Sequence, residues 1–547
     1  MQPDPNALSE QNDPLASWKT AVLIAIVAAG LIFVGGLLGT VAVGDEVYHQ
    51  SFARNWAAGG LLARPVFNPI YRTGDWPGYY YASEPLWPGG LGAVWWLTGF
   101  RAWTGQLYQA AWLTMLLLGL YFAGRHLTDP RGGLAAMLIG MTVPMFTAFS
   151  VLLFVDVAAT ALATLTLLAI LKRRWFLAGT GLALLYLTKR NAFFLMPSLG
   201  LWVFLDEFPW RAAWSAWRHG PSRVSRLRET LRRSQFARRV WRTLLFAAPA
   251  VLAFYLDKLW RVAHMPVTSD PGSLSHILKR FGSLFTRQQL SSYLTNPLDV
   301  LKYLGPVLLI LLVVFLARRA WKKPDGWLGL VVLLFMAATA ILFSLDTDIR
   351  YIMPMVPILV LMAMRGLGGW RRKTAVLAML AAAGLATVGT TSIYVGLQRK
   401  VTPGQTAVFE YLRDHTPPDT LVLYPGELLM AESNRPVIWA QVRRLPILLR
   451  ERDPDRFLNI LQLNNIKYIS IFKTKIEEDP GGNRVAGGYL RWWVEQLRTP
   501  PFLRFLEEVP GDWPDMELWR VKPGVEPPVP PKPIAVEEVW SSLPDKP

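Results

Sequence analysis

Ala21-Val-Leu-Ile-Ala-Ile-Val-Ala-Ala-Gly30-Leu-Ile-Phe-Val-Gly-Gly-Leu-Leu-Gly-Thr40-Val-Ala-Val43 contains no charged residue and gives way at once to Gly44-Asp45-Glu46-Val-Tyr48-His49. About 20 consecutive apolar residues suffice to cross the hydrocarbon core of a bilayer. The run is too long for a signal-peptide core and no small-residue cleavage site follows it, so it reads as a retained membrane span. Two carboxylates at the mouth of a span are costly to place there, which makes them candidates for chemistry. A helix start at the interface, favoured by the positive end of the helix dipole, is the structural alternative for the same pair.

The rest of the chain extends this reading. Of 547 residues, 52% are hydrophobic and 18% charged, below the roughly 25% charge of soluble domains. The absence of Cys excludes disulfides, thiolate metal sites and a Cys nucleophile. The six His residues show no metal-ligand spacing, which argues against a His-built zinc site. A net charge of +18 would suit a nucleic-acid binder, but its distribution argues otherwise: ten Arg against three acids fall between Asp206 and Arg242, in a loop between apolar runs. Basic loops between spans orient a chain with that face towards the cytoplasm, and they can also meet anionic lipid headgroups. Membrane lipid, not nucleic acid, is the expected surroundings.

Further apolar runs cover residues 107–122, 134–153, 157–171, 175–188, 192–205, 244–259, 307–316, 327–345, 352–364 and 375–394. With the first, they make about eleven transmembrane helices. A cytoplasmic amino terminus then puts the basic clusters at 172–174, 206–242, 318–323 and 371–373 on the cytoplasmic face and the carboxyl terminus outside. The apolar segment 85–100 is interrupted by Pro88, Gly89, Gly90 and Gly92, and reads as interfacial or re-entrant. From about residue 398 the composition becomes that of a soluble domain. Residues 406–415 and 457–463 read as helices, and residues 420–424 and 467–472 as strands rich in β-branched and aromatic residues. The expected organisation is a cytoplasmic tail over 1–17, a transmembrane domain over 18–397, a small extracytoplasmic α/β domain over 398–520, and a Pro-rich tail over 521–547. The chain is expected in the plasma membrane as a multi-pass protein.

This topology collects Asp45, Glu46, Asp156, Lys189, Arg190, Asp346, Asp348 and Arg350 at the extracytoplasmic surface, from four separate loops. A transporter would tend to place its charges near the bilayer midplane. Carboxylates and cations together at the rim suit transfer of a group from a lipid phosphate. A carboxylate takes the proton of an acceptor hydroxyl, and fixed cations stabilise the charge left on the departing phosphate.

The chain resembles the GT-C superfamily of integral-membrane glycosyltransferases, and within it the protein mannosyltransferase and aminoarabinose transferase branch. The resemblance rests on Asp45-Glu46 after the first span, Glu84-Pro-Leu-Trp-Pro88, Asp156, Leu187-Thr-Lys189 and Arg350-Tyr-Ile-Met-Pro354-Met-Val-Pro357. It covers most of residues 18–400. It extends weakly over the tail through Phe409-Glu-Tyr-Leu-Arg-Asp-His415 and Ile466-Lys-Tyr-Ile469. No one motif is specific; their order and common sidedness carry the weight. The chain departs from the pattern at Glu84, where relatives often carry Pro or His.

The resemblance implies a GT-C-like bundle and transfer of a sugar from a polyprenyl-phosphate donor to a hydroxyl acceptor, with inversion and with Asp45 as the catalytic carboxylate. Adjacent residues do not share a helix or strand face, so Glu46 is expected to support rather than duplicate Asp45. Asp156 is a second acidic group. Lys189, Arg190 and Arg350 are expected at the donor phosphate, Lys as a point charge and Arg as a fork; topological anchoring by snorkelling is the alternative. Tyr48, His49, Glu84 and Tyr80 are candidates for acceptor or sugar contact, Tyr80 within the aromatic run Trp76-Pro-Gly-Tyr79-Tyr80-Tyr81. No cofactor is required; a divalent metal shared by Asp45 and Asp156 is compatible with the spacing but not demanded by it. The competing classes are a flippase for a lipid-linked glycan and a non-catalytic membrane scaffold.

Overall fold

The computed structural model describes residues 17–39, 45–59, 84–190, 195–206, 236–264, 303–318, 329, 353–368, 374–399, 403–417, 420–424, 437–439, 453–463, 465–472, 495–514 and 516–525. They fall into two compact units. One comprises Met1–Leu37, Glu84–Trp87 and Ala102–Gly396; the other comprises Leu38–Ser83, Pro88–Arg101 and Leu397–Pro547.

The first unit is a helix bundle. Its elements are α1 (Trp18–Leu38), α4 (Ala102–Leu127), α5 (Pro130–Met141), α6 (Pro144–Val151), α7 (Val155–Leu171), α8 (Trp175–Thr188), α9 (Leu195–Leu205), α10 (Phe236–His264), α11 (Pro306–Ala317), α12 (Val356–Leu367) and α13 (Thr374–Gln398). The intervening α2 (Asp45–Ala57) and most of α3 (Leu86–Thr98) belong to the second unit. Apolar helices in lipid gain little from hydrophobicity alone and associate through small residues that let backbones approach. The bundle shows this repeatedly. A Cβ at Gly124 of α4 would lie 2.8 Å from the Ala136 Cβ of α5, and one at Gly133 would lie 2.6 Å from the Tyr121 carbonyl. Gly179 of α8 meets the Phe246 carbonyl of α10, and Gly366 of α12 lies against the Phe315 backbone of α11.

These contacts also fix direction. Trp175, Gly179 and Tyr186 of α8 meet Arg242, Phe246 and Asp257 of α10 in the same order, so the two helices run parallel. Gln106, Gly119 and His126 of α4 meet Val151, Thr164 and Leu171, so α4 and α7 also run parallel. The α4–α5 pair is antiparallel.

Among the described residues, four helices (α1, α4, α10 and α13) are long and apolar enough to cross a membrane, and α5 with α6, bent by 62°, makes a fifth if counted as one broken span. That is fewer than the eleven expected. The shortfall has a physical reason: α8 and α9 have 14 and 11 residues, about 20 Å or less at 1.5 Å per residue, against roughly 30 Å of hydrocarbon. Almost all of the expected span at 327–345 lies outside the described residues. The 62° bend occurs where Pro144 lacks the N–H that would continue α5. In contrast, the segment expected to be broken by Pro88 is the continuous 13-residue helix α3. Pro88 falls in its first turn, where no N–H partner is lost. Gly92 lets α3 approach α2, since a Cβ there would lie 2.8 Å from the Ala53 carbonyl.

In the second unit, α14 (Pro403–His415), β1 (Leu421–Tyr424), β2 (Val437–Trp439), α15 (Pro454–Leu463), β3 (Ile466–Phe472), α16 (Pro500–Leu503), β4 (Leu506–Glu508) and β5 (Met516–Val521) form a small α/β fold. Its mixed sheet has the order β2-β1-β3-β5-β4. β1 pairs in parallel with β2 and β3, and β5 runs antiparallel to β3 and β4. Val422, Ile469, Leu518 and Trp519 are buried, with Phe457, Phe502 and Phe505 forming an aromatic cluster. The two helices and the two strands expected from the sequence are present as α14, α15, β1 and β3; β2, β4, β5 and α16 are additional.

Candidate active site

The loops of the bundle sort into two ends. At one end, Arg173 pairs with Asp206 at 3.2 Å, and Arg239 donates to the carbonyls of Phe204 and Asp206 at 3.0 and 2.7 Å. His126 sits 3.0 Å from the Leu171 carbonyl, while Arg318 donates to the carbonyls of Gly366 and Leu367 at 3.1 and 3.0 Å. Thr128, at the end of α4, reaches Met364 of α12. These contacts gather helix C-termini and basic residues, a favourable arrangement because cations offset the negative end of the helix dipole.

The opposite end holds a cluster of charged side chains. Asp156 lies in the first turn of α7, where the dipole favours a carboxylate, and its side chain is only 2% exposed. Its Oδ1 accepts from Nζ of Lys189, which caps the C-terminus of α8. The next residue, Arg190, forks onto Asp257 of α10: Nε donates to Oδ2 and Nη2 to Oδ1, each at 3.3 Å. The Tyr186 hydroxyl donates to the same Asp257 Oδ2 at 2.7 Å. Asp257 is 3% and Arg190 17% exposed on their side chains. Glu84 enters from just before α3, its Oε1 accepting the backbone N–H of Arg190 at 3.3 Å. Buried charges of this kind persist only when paired and hydrogen-bonded.

The turn that delivers Asp156 is held just as closely. Leu153, between α6 and α7, has a φ of 48°, in the left-handed region that non-glycine residues rarely occupy. Buried amides of α4 hold it there. Gln109 Nε2 donates to the carbonyls of Phe149 and Phe154 at 3.2 and 2.8 Å, and Gln106 Nε2 to that of Val151 at 3.3 Å. Trp87 Nε1 in turn donates to Gln109 Oε1 at 3.2 Å. The segment Glu84–Trp87 therefore reaches the cluster twice, through Arg190 and through Gln109.

Of the residues singled out from sequence, Asp156, Lys189, Arg190 and Glu84 thus meet at one end of the first unit. Asp45, Glu46, Tyr48 and His49 lie in α2, which begins at Asp45 in the second unit. The side chains of Asp45, Glu46 and Tyr48 are outside the described residues, and His49 is half-buried. Tyr80, Asp346, Asp348 and Arg350 also lie outside the described residues. Asp257, Tyr186 and Gln109 were not expected at the site. The signal for Asp257 was the span count, which puts the end of α10 on the same face as Lys189.

No group of three or more His, Asp or Glu among the described residues is arranged to hold a metal. Asp156 already faces an ammonium, which repels a second cation. Among the described residues the donors around Asp156 do not fit a metal, and the Asp45 side chain lies outside them.

No protein-family model matches the chain, and no curated protein sequence does. Solved structures do. ArnT from Cupriavidus metallidurans, bound to undecaprenyl phosphate, superposes with a TM-score of 0.56 at 16% identity, over 92% of this chain and 98% of that one. The Archaeoglobus fulgidus oligosaccharyltransferase tethered with an acceptor peptide gives 0.55 at 13%, over 87% and 72%. The same archaeal enzyme, AglB, in complex with an inhibitory peptide and a dolichol-phosphate gives 0.52 at 12%, over 86% and 72%. Both are GT-C proteins, and the chain shares their fold.

Proposed function

We propose that this chain is a membrane glycosyltransferase that moves one sugar from a polyprenyl-phosphate donor to a hydroxyl acceptor on the extracytoplasmic face. The observation that carries the reading is the pair of cations, Lys189 and Arg190, held at one bundle end by buried Asp156 and Asp257. The fold is that of two proteins solved with polyprenyl phosphates. The opposite end, rich in Arg and helix C-termini, is assigned to the cytoplasm by the positive-inside rule. The parallel pairing of α8 with α10 and of α4 with α7 fits an order in which a reversed segment lies between the members of each pair.

In the proposed reaction, the acceptor hydroxyl gives its proton to Asp45 as its oxygen attacks the anomeric carbon. The bond from that carbon to the phosphate oxygen breaks, and the electron pair leaves with the polyprenyl phosphate. Lys189, Arg190 and Arg350 stabilise the charge that develops there. Asp156 acts as the counter-ion that aims Lys189, not as a second base. Glu46, Tyr48, His49 and Tyr80 belong to the acceptor and sugar side, and Glu84 fixes the backbone of the Lys189-Arg190 turn. Apart from Asp257, which lies within α10 near the end of its apolar run, the charges sit at helix ends, which favours transfer over the flippase reading.

The test uses purified protein in nanodiscs, radiolabelled polyprenyl-phosphate sugars and an envelope fraction as acceptor. The wild type is expected to move label out of the lipid fraction. Asp45→Asn is expected to abolish transfer with an unchanged unfolding temperature, and full activity in that variant overturns the assignment of the base.

A further inference from the structure

Asp257 is the charged member of the cluster to which the proposed reaction gives no part beyond holding Arg190. It is buried in an apolar helix, where a carboxylate is expensive, yet it engages both Arg190 and Tyr186. Together with Asp156 it leaves each cation of the Lys189-Arg190 turn inside a neutral pair. A site meant only to grip an anion would gain from leaving its cations uncompensated.

The charge balance of the proposed reaction suggests why it does not. The donor is a phosphodiester with one negative charge. Breaking the bond between sugar and phosphate leaves a phosphomonoester, which carries about −1.5 to −2 at neutral pH. A site with surplus positive charge therefore binds the spent carrier more tightly than the donor, and turnover stalls on release.

We propose that Asp257 is a positioning residue that holds Arg190 as a half of a neutral fork and so keeps the spent polyprenyl phosphate releasable. It sets the discrimination between phosphomonoester and phosphodiester carriers without touching either. The inference rests on the reading of Lys189 and Arg190 as the phosphate clamp. It does not require that transfer itself be observed, because the discrimination is a ratio of affinities.

The experiment measures binding of undecaprenyl phosphate and of its methyl phosphodiester to the purified protein in nanodiscs. The ratio of the two affinities cancels any general loss of folded protein. Asp257→Asn keeps the shape but removes the charge, and is expected to raise the monoester-to-diester ratio about tenfold, the order given by one added charge acting over several ångströms at an effective dielectric near 20. Asp257→Glu is expected to restore the wild-type ratio, and Arg190→Gln to lower it. An unchanged ratio in Asp257→Asn overturns the proposal. So does an unchanged ratio in Arg190→Gln, the variant to rely on should Asp257→Asn fail to fold. A wild type that discriminates as expected but transfers no sugar would instead count against the transferase reading alone.

Discussion

At the scale of single residues, the site is a matter of compensating buried charge. Asp156 is all but inaccessible and Lys189 nearly so, so neither ion is stable without the other. Removing one partner of such a pair leaves the other uncompensated, at a cost of about 3–5 kcal/mol. Asp156→Ala should therefore lower the unfolding temperature in detergent sharply, whereas Asp156→Ala combined with Lys189→Met should recover much of the loss. If the double variant is no more stable than the single one, the pair is not what holds this end of α7 and α8. Asp156, Lys189 and Arg190 were legible in sequence because each interrupts an apolar run, where a charge is conspicuous. Asp257, beside Lys258 near the end of the apolar run at 244–259, interrupts it in the same way, but nothing in the sequence ties it to Arg190. Gln109 and Tyr186 carried no signal, since an uncharged polar residue in a helix does not announce which carbonyl or carboxylate it will meet.

Helices and turns obey packing rules that the same sequence reading captured less evenly. Hydropathy located α1, α4, α7, α8 and α10 because lipid demands long apolar runs. It could not foresee the use of Gly92 in α3, a close approach to α2 that exists only in the folded chain. The short strands β2 and β4, three residues each, are too brief for alternation to register. Gly179 and Gly200 give a paired test of helix contact. A Cβ at Gly179 runs into the Phe246 carbonyl and lies 3.1 Å from Pro249, while one at Gly200 meets only the Phe246 ring at 3.8 Å. Gly179→Ala should destabilise the bundle by about 1–3 kcal/mol, and Gly200→Ala should be close to neutral. Equal thermal stability of the two variants would contradict the α8–α10 packing. The turn before α7 offers a second test. Gln109→Leu frees the carbonyls of Phe149 and Phe154 and should cost about 1–3 kcal/mol for the buried groups left unpaired, measured again by thermal unfolding.

The whole molecule joins these scales through sidedness. The contacts around Asp206, Arg239 and Arg318 gather one end of the bundle, and those around Asp156, Lys189 and Asp257 gather the other. Single-cysteine labelling is simple in a chain without Cys. Ser234→Cys, in the Arg-rich loop, should be shielded from a membrane-impermeant thiol reagent in intact cells. Asp414→Cys, at an exposed position, should react. The fold is shared with GT-C proteins of distant sequence, so what separates a transferase from a mere scaffold is whether the paired cations serve a phosphate. The most direct measurement is therefore transfer of radiolabelled sugar out of the polyprenyl-phosphate pool by purified protein, comparing wild type with Lys189→Met. The account predicts transfer by the wild type and a loss of about 10²–10³ in kcat/KM for the variant, as when one donor to a developing oxyanion is removed. Transfer at the wild-type rate by folded Lys189→Met would contradict it.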